Sequence, residues 1–144
     1  KLYNIDTVNA ERLAITDKSR LVAGRMEERI CFRNPINNIH IDDRVHLMYL
    51  EGRNVGSLSV SNCEDLEYIN APVVRISNCP KLHEFGQICR DVAIDDCKNI
   101  KDPINLSQVE NIFLKNCENM QLTVPRFANI KTENLSNVDI HLRP

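Results

Sequence analysis

Apolar residues along this chain follow two periods, a short one inside segments and a long one between them. Residues 55–66 (VGSLSVSNCEDL), 71–82 (APVVRISNCPKL), 89–100 (CRDVAIDDCKNI) and 109–120 (VENIFLKNCENM) share one frame. It runs apolar, two variable, apolar, one variable, apolar or small, one variable, Asn or Asp, Cys, two variable, apolar. A fifth copy at 127–138 (FANIKTENLSNV) keeps the frame with Leu135 in the Cys position. The copies begin 16, 18, 20 and 18 residues apart. Inside each copy the alternation has period two, so apolar side chains face one way and the residues between them the other, as in a half-buried strand. Weaker matches lie N-terminal to these. LAITDKSRL at 13–21 keeps Leu13, Ile15, Asp17 and Leu21, ICFRNP at 30–35 keeps Ile30, Phe32 and Asn34, and VHLMYL at 45–50 keeps Val45 and Leu47.

One such coil cannot bury its apolar side alone, whereas stacked coils make a continuous core. Equal frames in a stack give parallel strands about 4.8 Å apart, so about eight of them form a rod on the order of 35 Å long. The expected fold is a β-rich solenoid in a single domain spanning 1–144, with one parallel sheet of about eight short strands and little helix. Residues 55–140 hold the regular repeats, and 1–54 hold degenerate coils and an N-terminal cap. Asn or Asp closes each strand because a short polar side chain tolerates the left-handed turn conformation and bonds nearby backbone.

The frame resembles the leucine-rich repeat, L-x-x-L-x-L-x-x-N/C-x-L. The endings Cys63–Leu66, Cys79–Leu82, Cys97–Ile100 and Cys117–Met120 are similar to the irregular Cys-bearing repeats of F-box proteins and plant immune receptors, ISNCPKL at 76–82 above all. The resemblance covers 55–140 and implies a right-handed coil whose exposed sheet face binds partners. Coils of 16–20 residues are shorter than the roughly 20–29 of that family. The return path is therefore expected to hold extended segments, turns or short 3₁₀ pieces. A three-stranded β-helix needs longer coils, and a left-handed hexapeptide helix needs a six-residue sub-period that is absent here.

Composition adds little to this picture and removes several alternatives. Acids and bases are interspersed and the net charge is −2, so there is no electrostatic footprint for nucleic acid or an anionic membrane. No apolar run approaches the length that spans a bilayer. The opening KLYNIDTVNAER has neither a signal pattern nor an initiator Met, as expected of a mature or excised segment.

Cys63, Cys79, Cys97 and Cys117 occupy one column of the repeat, and Cys89 shares an apolar column with Val55, Ala71, Val109 and Phe127. A disulfide framework would not place cysteines in register, so the column reads as buried structural thiols. Cys31 falls at a variable strand position and is the one expected to be exposed. No Cys-x-x-Cys pair or Cys/His cluster marks a metal site, and a repeated column offers a nucleophile no base. Free thiols favour an intracellular setting, whereas the sequons at Asn105 and Asn134 would accept glycans in a secreted chain.

Candidate catalytic groups do not converge. Asp42–Asp43 and Asp95–Asp96 are adjacent carboxylates, with Asp43 and Asp96 in the turn column. His40, His46, His83 and His141 are scattered, and no nucleotide-binding loop occurs, so neither a catalytic residue nor a cofactor is expected. The outward strand positions remain, namely Cys31 and Arg33, His46 and Met48, Ser59 and Ser61, Arg75 and Ser77, Ala93 and Asp95, Phe113 and Lys115, and Lys131 and Glu133. Arg33, His46, Met48, Arg75, Asp95, Phe113, Lys115, Lys131 and Glu133 are the expected contacts of a non-enzymatic module binding a protein or peptide. Two other readings stand beside it. One is an assembly protein associating end to end through exposed solenoid edges. The other is a carbohydrate-binding or carbohydrate-active solenoid using the acids near Asp42 or Asp95.

Overall fold

The computed structural model describes residues 2–5, 12–15, 28–32, 35–43, 46–106 and 108–143. These residues form a parallel β-solenoid with no helix among them. Successive strands alternate between two sheets. The odd sheet runs β1 (Leu2–Ile5), β3 (Glu28–Phe32), β5 (Leu47–Glu51), β7 (Tyr68–Asn70), β9 (Glu84–Phe85), β11 (Ile104–Asn105), β13 (Glu118–Pro125) and β15 (Ser136–Arg143). The even sheet runs β2 (Arg12–Ile15), β4 (Ile36–Asp42), β6 (Val55–Ser61), β8 (Val73–Ser77), β10 (Asp91–Asp95), β12 (Asn111–Lys115) and β14 (Asn129–Glu133). Each strand pairs in parallel with the strand two places away in sequence, which is the signature of a coil making one strand in each sheet per turn.

The solenoid expected from the repeat is present, but with two sheets rather than one. The repeat frame itself forms the even strands, and the return path forms the odd strands. The physical reason lies in the residues after each frame, which carry their own alternation. In β13, Met120, Leu122 and Val124 are buried while Gln121 is exposed and Thr123 half-buried. The last apolar residue of each frame is buried, Met120 within β13 and Leu66, Leu82 and Ile100 just ahead of β7, β9 and β11, leaving no stretch for a helix.

The second sheet also reassigns the N-terminal matches. Residues 30–32 and 47–50 lie in β3 and β5, in the odd sheet, not in the column of the repeats. The even strand between them is β4, whose Ile36, Ile39 and Ile41 are buried in register with Val55, Leu58 and Val60. Asp43, with φ 58°, takes the turn position. This stretch, INNIHIDD, obeys the frame; it lacks only the Cys, and a frame anchored on Cys passes over it. Asp17, Leu21, Arg33, Asn34 and Val45 lie outside the described residues.

Corners between the sheets are built by Asn and Asp. Among the described residues, all nine non-glycine residues with positive φ are of these two types, including Asn62, Asn78, Asp96, Asn116 and Asn134 at 51–55°. Only such side chains visit the left-handed region at low cost. The turn residue's N–H donates to the next coil, as Asn62 to the Ser77 carbonyl (3.0 Å) and Asp96 to that of Lys115 (3.0 Å), so the ladder is unbroken around the corner. The side-chain amides stack as well. Asn78 Nδ2 donates to Asn62 Oδ1 (2.9 Å), and Asn134 Nδ2 to Asn116 Oδ1 (2.7 Å). Three residues further on, Asn137 donates to Asn119 (2.7 Å) and Asn119 to Asn99 (2.6 Å).

Between the sheets lies an aliphatic core whose largest fully buried members include Ile39, Ile41, Leu50, Leu58, Leu66, Ile69, Leu82 and Ile94. Each coil closes with a small buried residue at the second corner, Val55, Ala71, Cys89 and Val109 in turn. In the last described coil the equivalent Phe127 is 72% exposed.

Candidate functional site

Cys63, Cys79, Cys89, Cys97 and Cys117 are free thiols. Cys63, Cys79, Cys97 and Cys117 are at most 1% exposed and form the predicted interior column, and Cys89 is buried at the opposite corner. The thiols of Cys63, Cys79 and Cys117 donate to the carbonyls of Ser61 (3.4 Å), Ser77 (3.5 Å) and Lys115 (3.3 Å). Burial pushes the Cys97 thiol up to about 12, and raises Cys89 and Cys117. The neighbouring Cys63 thiol and then burial raise Cys79. A thiol held protonated inside a core is a poor nucleophile and a poor metal ligand. Cys31, half-buried, is the most accessible of the six.

The acids of the even sheet are engaged by their neighbours. Asp42 accepts from Ser61 Oγ (2.7 Å) and Asn62 Nδ2 (3.0 Å), bonds that hold its carboxyl below the usual range. Asp95 accepts from Asn116 (3.3 Å) and Asp91 from Asn111 (2.7 Å). Asp42 and Asp95 stand three coils apart, about 14 Å at a spacing of about 4.8 Å. That exceeds the roughly 5–9.5 Å separating the two carboxylates of a glycosidase. Asp43 and Asp96 serve the corners. Among the described residues no group of three or more His, Cys, Asp or Glu side chains is placed to hold a metal ion.

The outward face of the even sheet consists of three parallel columns set by the register. The middle column reads His40, Ser59, Arg75, Ala93, Phe113 and Lys131. On one side run Asn38, Ser57, Val73, Asp91, Asn111 and Asn129, and on the other Asp42, Ser61, Ser77, Asp95, Lys115 and Glu133. Small residues at 59 and 93 alternate with large ones, and this sculpts the surface. Over Ala93 opens a trough of about 410 Å³, lined by Val73, Arg75, Asp91, Asn111, Phe113 and Lys131 among others. Over Ser59 lies a smaller one of about 270 Å³, between His40 and Arg75. Phe113 is 37% exposed, a large ring standing beside the deepest part of the face.

The structure thus brings Arg75, Asp95, Phe113, Lys115, Lys131 and Glu133 onto one surface. His46 and Met48 are not part of it. Met48 belongs to β5 in the odd sheet, and His46 precedes that strand, 3.7 Å from Asp65. Arg33 is outside the described residues. The position expected for His46 is filled by His40 of β4. Asp91, Asn111 and Asn129 were overlooked because they occupy the frame's second variable position, and counting by two backward from Ala93 or Phe113 finds them.

The odd sheet carries a different surface. Tyr49 and Tyr68 stack with ring centroids 4.4 Å apart and planes within 6°, and Arg29 lies 5.5 Å from the Tyr49 centroid. Beneath them Asn70, 4% exposed, donates to Glu51 Oε1 (3.1 Å) and accepts the Ile88 N–H (3.3 Å). Its side chain fills the space beside Gly86, where an added Cβ would stand 2.0 Å from Asn70 Cγ. Tyr49 is thus covered on one face by Tyr68 and on the other by Arg29. Of the sequon residues, Asn105 is exposed, whereas Asn134 spends its Nδ2 in the corner ladder.

Comparison with protein-family models, with curated proteins and with solved structures gave no match to this chain.

Proposed function

We propose that the chain is a non-enzymatic recognition module of leucine-rich-repeat type, and that the even-sheet face binds a protein or peptide partner. The observation that carries this reading is the trough over Ala93. An exposed Phe113 and an Arg75 that makes no ion pair among the described residues flank it, and both residue types are enriched among the residues that dominate binding energy at protein interfaces. Engaged carboxylates at Asp42, Asp91 and Asp95 favour binding over catalysis. A photo-cross-linking residue placed at 113, and separately at 123 on the odd sheet, tests the proposal with lysate and secretions of the source organism. Partner capture from 113 and not from 123, abolished by Arg75→Glu, is the expected result; capture from 123 alone would move the site to the other sheet.

A second reading, association through the solenoid edge, is favoured by the coil of β14 and β15. Among the described residues these strands have hydrogen-bonded neighbours on one side only, Leu142 is 54% exposed, and Ile130, Val138 and Ile140 are partly buried. Sedimentation over a hundredfold concentration range decides it: a rising mass that Leu142→Lys suppresses supports association, and a constant monomer mass removes it.

A further inference from the structure

The middle column of the even sheet is basic where it borders the trough. Arg75 and Lys131 flank Ala93 and Phe113, and no acid stands in that column. Neither cation makes a salt bridge or a side-chain hydrogen bond among the described residues. The nearest acids lie in the flanking columns, where Asp91 and Asp95 accept amide bonds from Asn111 and Asn116 and Glu133 stands two residues from Lys131 in β14. The two cations therefore present unspent charge on either side of an apolar recess.

Their separation is fixed by the fold. From Arg75 to Lys131 is three coils, about 14 Å at a strand spacing of about 4.8 Å. An extended chain rises about 3.4 Å per residue and points residues i, i+2 and i+4 to the same side, so about 14 Å is four residues. The residue midway falls between Ala93, which leaves the space, and Phe113, which walls it.

From this geometry we infer that the trough takes an extended acidic segment of the form acid-x-apolar-x-acid lying along the solenoid axis. Its two carboxylates meet Arg75 and Lys131, and its apolar side chain fills the recess over Ala93 against Phe113. The guanidinium of Arg75 offers a two-pronged contact to a carboxylate, and Lys131 a point charge. Val73 extends the apolar floor on one flank. This assignment rests on the even-sheet face being the binding surface.

Selection from a displayed library of random twelve-residue peptides tests it, with wild-type protein, Arg75→Glu/Lys131→Glu and Phe113→Ala as baits. The expected outcome is enrichment of two acids four residues apart around a central apolar residue. Binding falls about tenfold or more for each bait variant, and a peptide with Lys in place of both acids binds the doubly reversed protein. Ala93→Leu, which fills the recess on an outward position, abolishes binding of the same peptide. Enriched peptides that lack this spacing but still depend on Phe113 overturn the acidic motif and leave the face as the binding surface. Enriched peptides indifferent to all three baits, or no enrichment, overturn both. Binding of heparin or single-stranded DNA that the double reversal abolishes, without peptide enrichment, would assign the basic column to a polyanion and contradict the peptide.

Discussion

Asn119 shows what a single side chain contributes in this architecture. Its backbone has φ 56°, its Nδ2 donates to Asn99, and its Oδ1 accepts from Asn137. Asn119→Gly keeps the left-handed backbone at no steric cost and loses both exposed amide bonds, so unfolding free energy falls by about 1 kcal/mol. Asn119→Ala loses the same bonds and keeps a Cβ in the left-handed region without the polar side chain that makes that region tolerable, for a loss of about 2–3 kcal/mol. Urea denaturation of both variants measures the difference; equal losses would mean that backbone conformation is not what the Asn supplies. The thiols make a second prediction at this scale. Cys79, Cys89, Cys97 and Cys117 have folded pKa values above the ordinary thiol range, so the folded chain keeps protons that the unfolded chain releases. Their contribution is complete below about pH 8.5 and falls as pH rises above it, by about 1.4 kcal/mol per pH unit for each thiol still protonated in the folded chain, which for Cys97 holds up to about pH 12. Urea midpoints at pH 8, 9 and 10 should decline steadily, with a shallower slope in Cys97→Ala; a flat profile would contradict the buried column.

At the scale of elements, β7 and the turn after β9 are joined by a fit between two residues. Asn70 occupies the volume beside Gly86 and bonds Glu51 and the Ile88 N–H. Gly86→Ala expels that side chain and leaves buried polar groups unpaired, which costs about 1–3 kcal/mol. Thermal unfolding checks this, and a loss in Gly86→Ala/Asn70→Ala no larger than that in Asn70→Ala alone would identify the clash as the cause. The even strands were legible in the sequence because Ile/Val/Leu alternation and the Asn corner repeat together. The odd strands were not, since β9 and β11 are two residues long and their alternation is too short to register. β4 obeys the frame without its Cys, and for the same reason His40 was missed while His46 and Met48 were placed on the wrong sheet. The face residues from Arg75 to Glu133 were legible because one buried residue on each side fixes the orientation of the residue between. The trough itself was not, because its depth comes from Ala93 lying between Arg75 and Phe113 in adjacent coils, a relation across 18 and 20 residues of sequence.

At the scale of the whole molecule, stability in a stack of coils depends on neighbours on both sides. Coils built on β6 to β12 bury their apolar residues almost completely, whereas Ile130, Val138 and Ile140 of the last coil are only partly buried. Amide hydrogen exchange should therefore be slowest in β8, β10 and β12 and faster in β14 and β15. Uniform protection along the chain would contradict a stack that opens from its edge. The same stacking holds Arg75, Phe113 and Lys131 on the even-sheet face at separations set by the strand register, and the proposed function is recognition through that surface. Its most direct test is the affinity of a captured partner for Arg75→Glu/Phe113→Ala beside wild type, measured together with the thermal midpoint of each protein. Both substituted residues point outward, so the midpoint should move little while binding is abolished. An unchanged affinity, with the fold intact, would contradict the assignment of the even-sheet face.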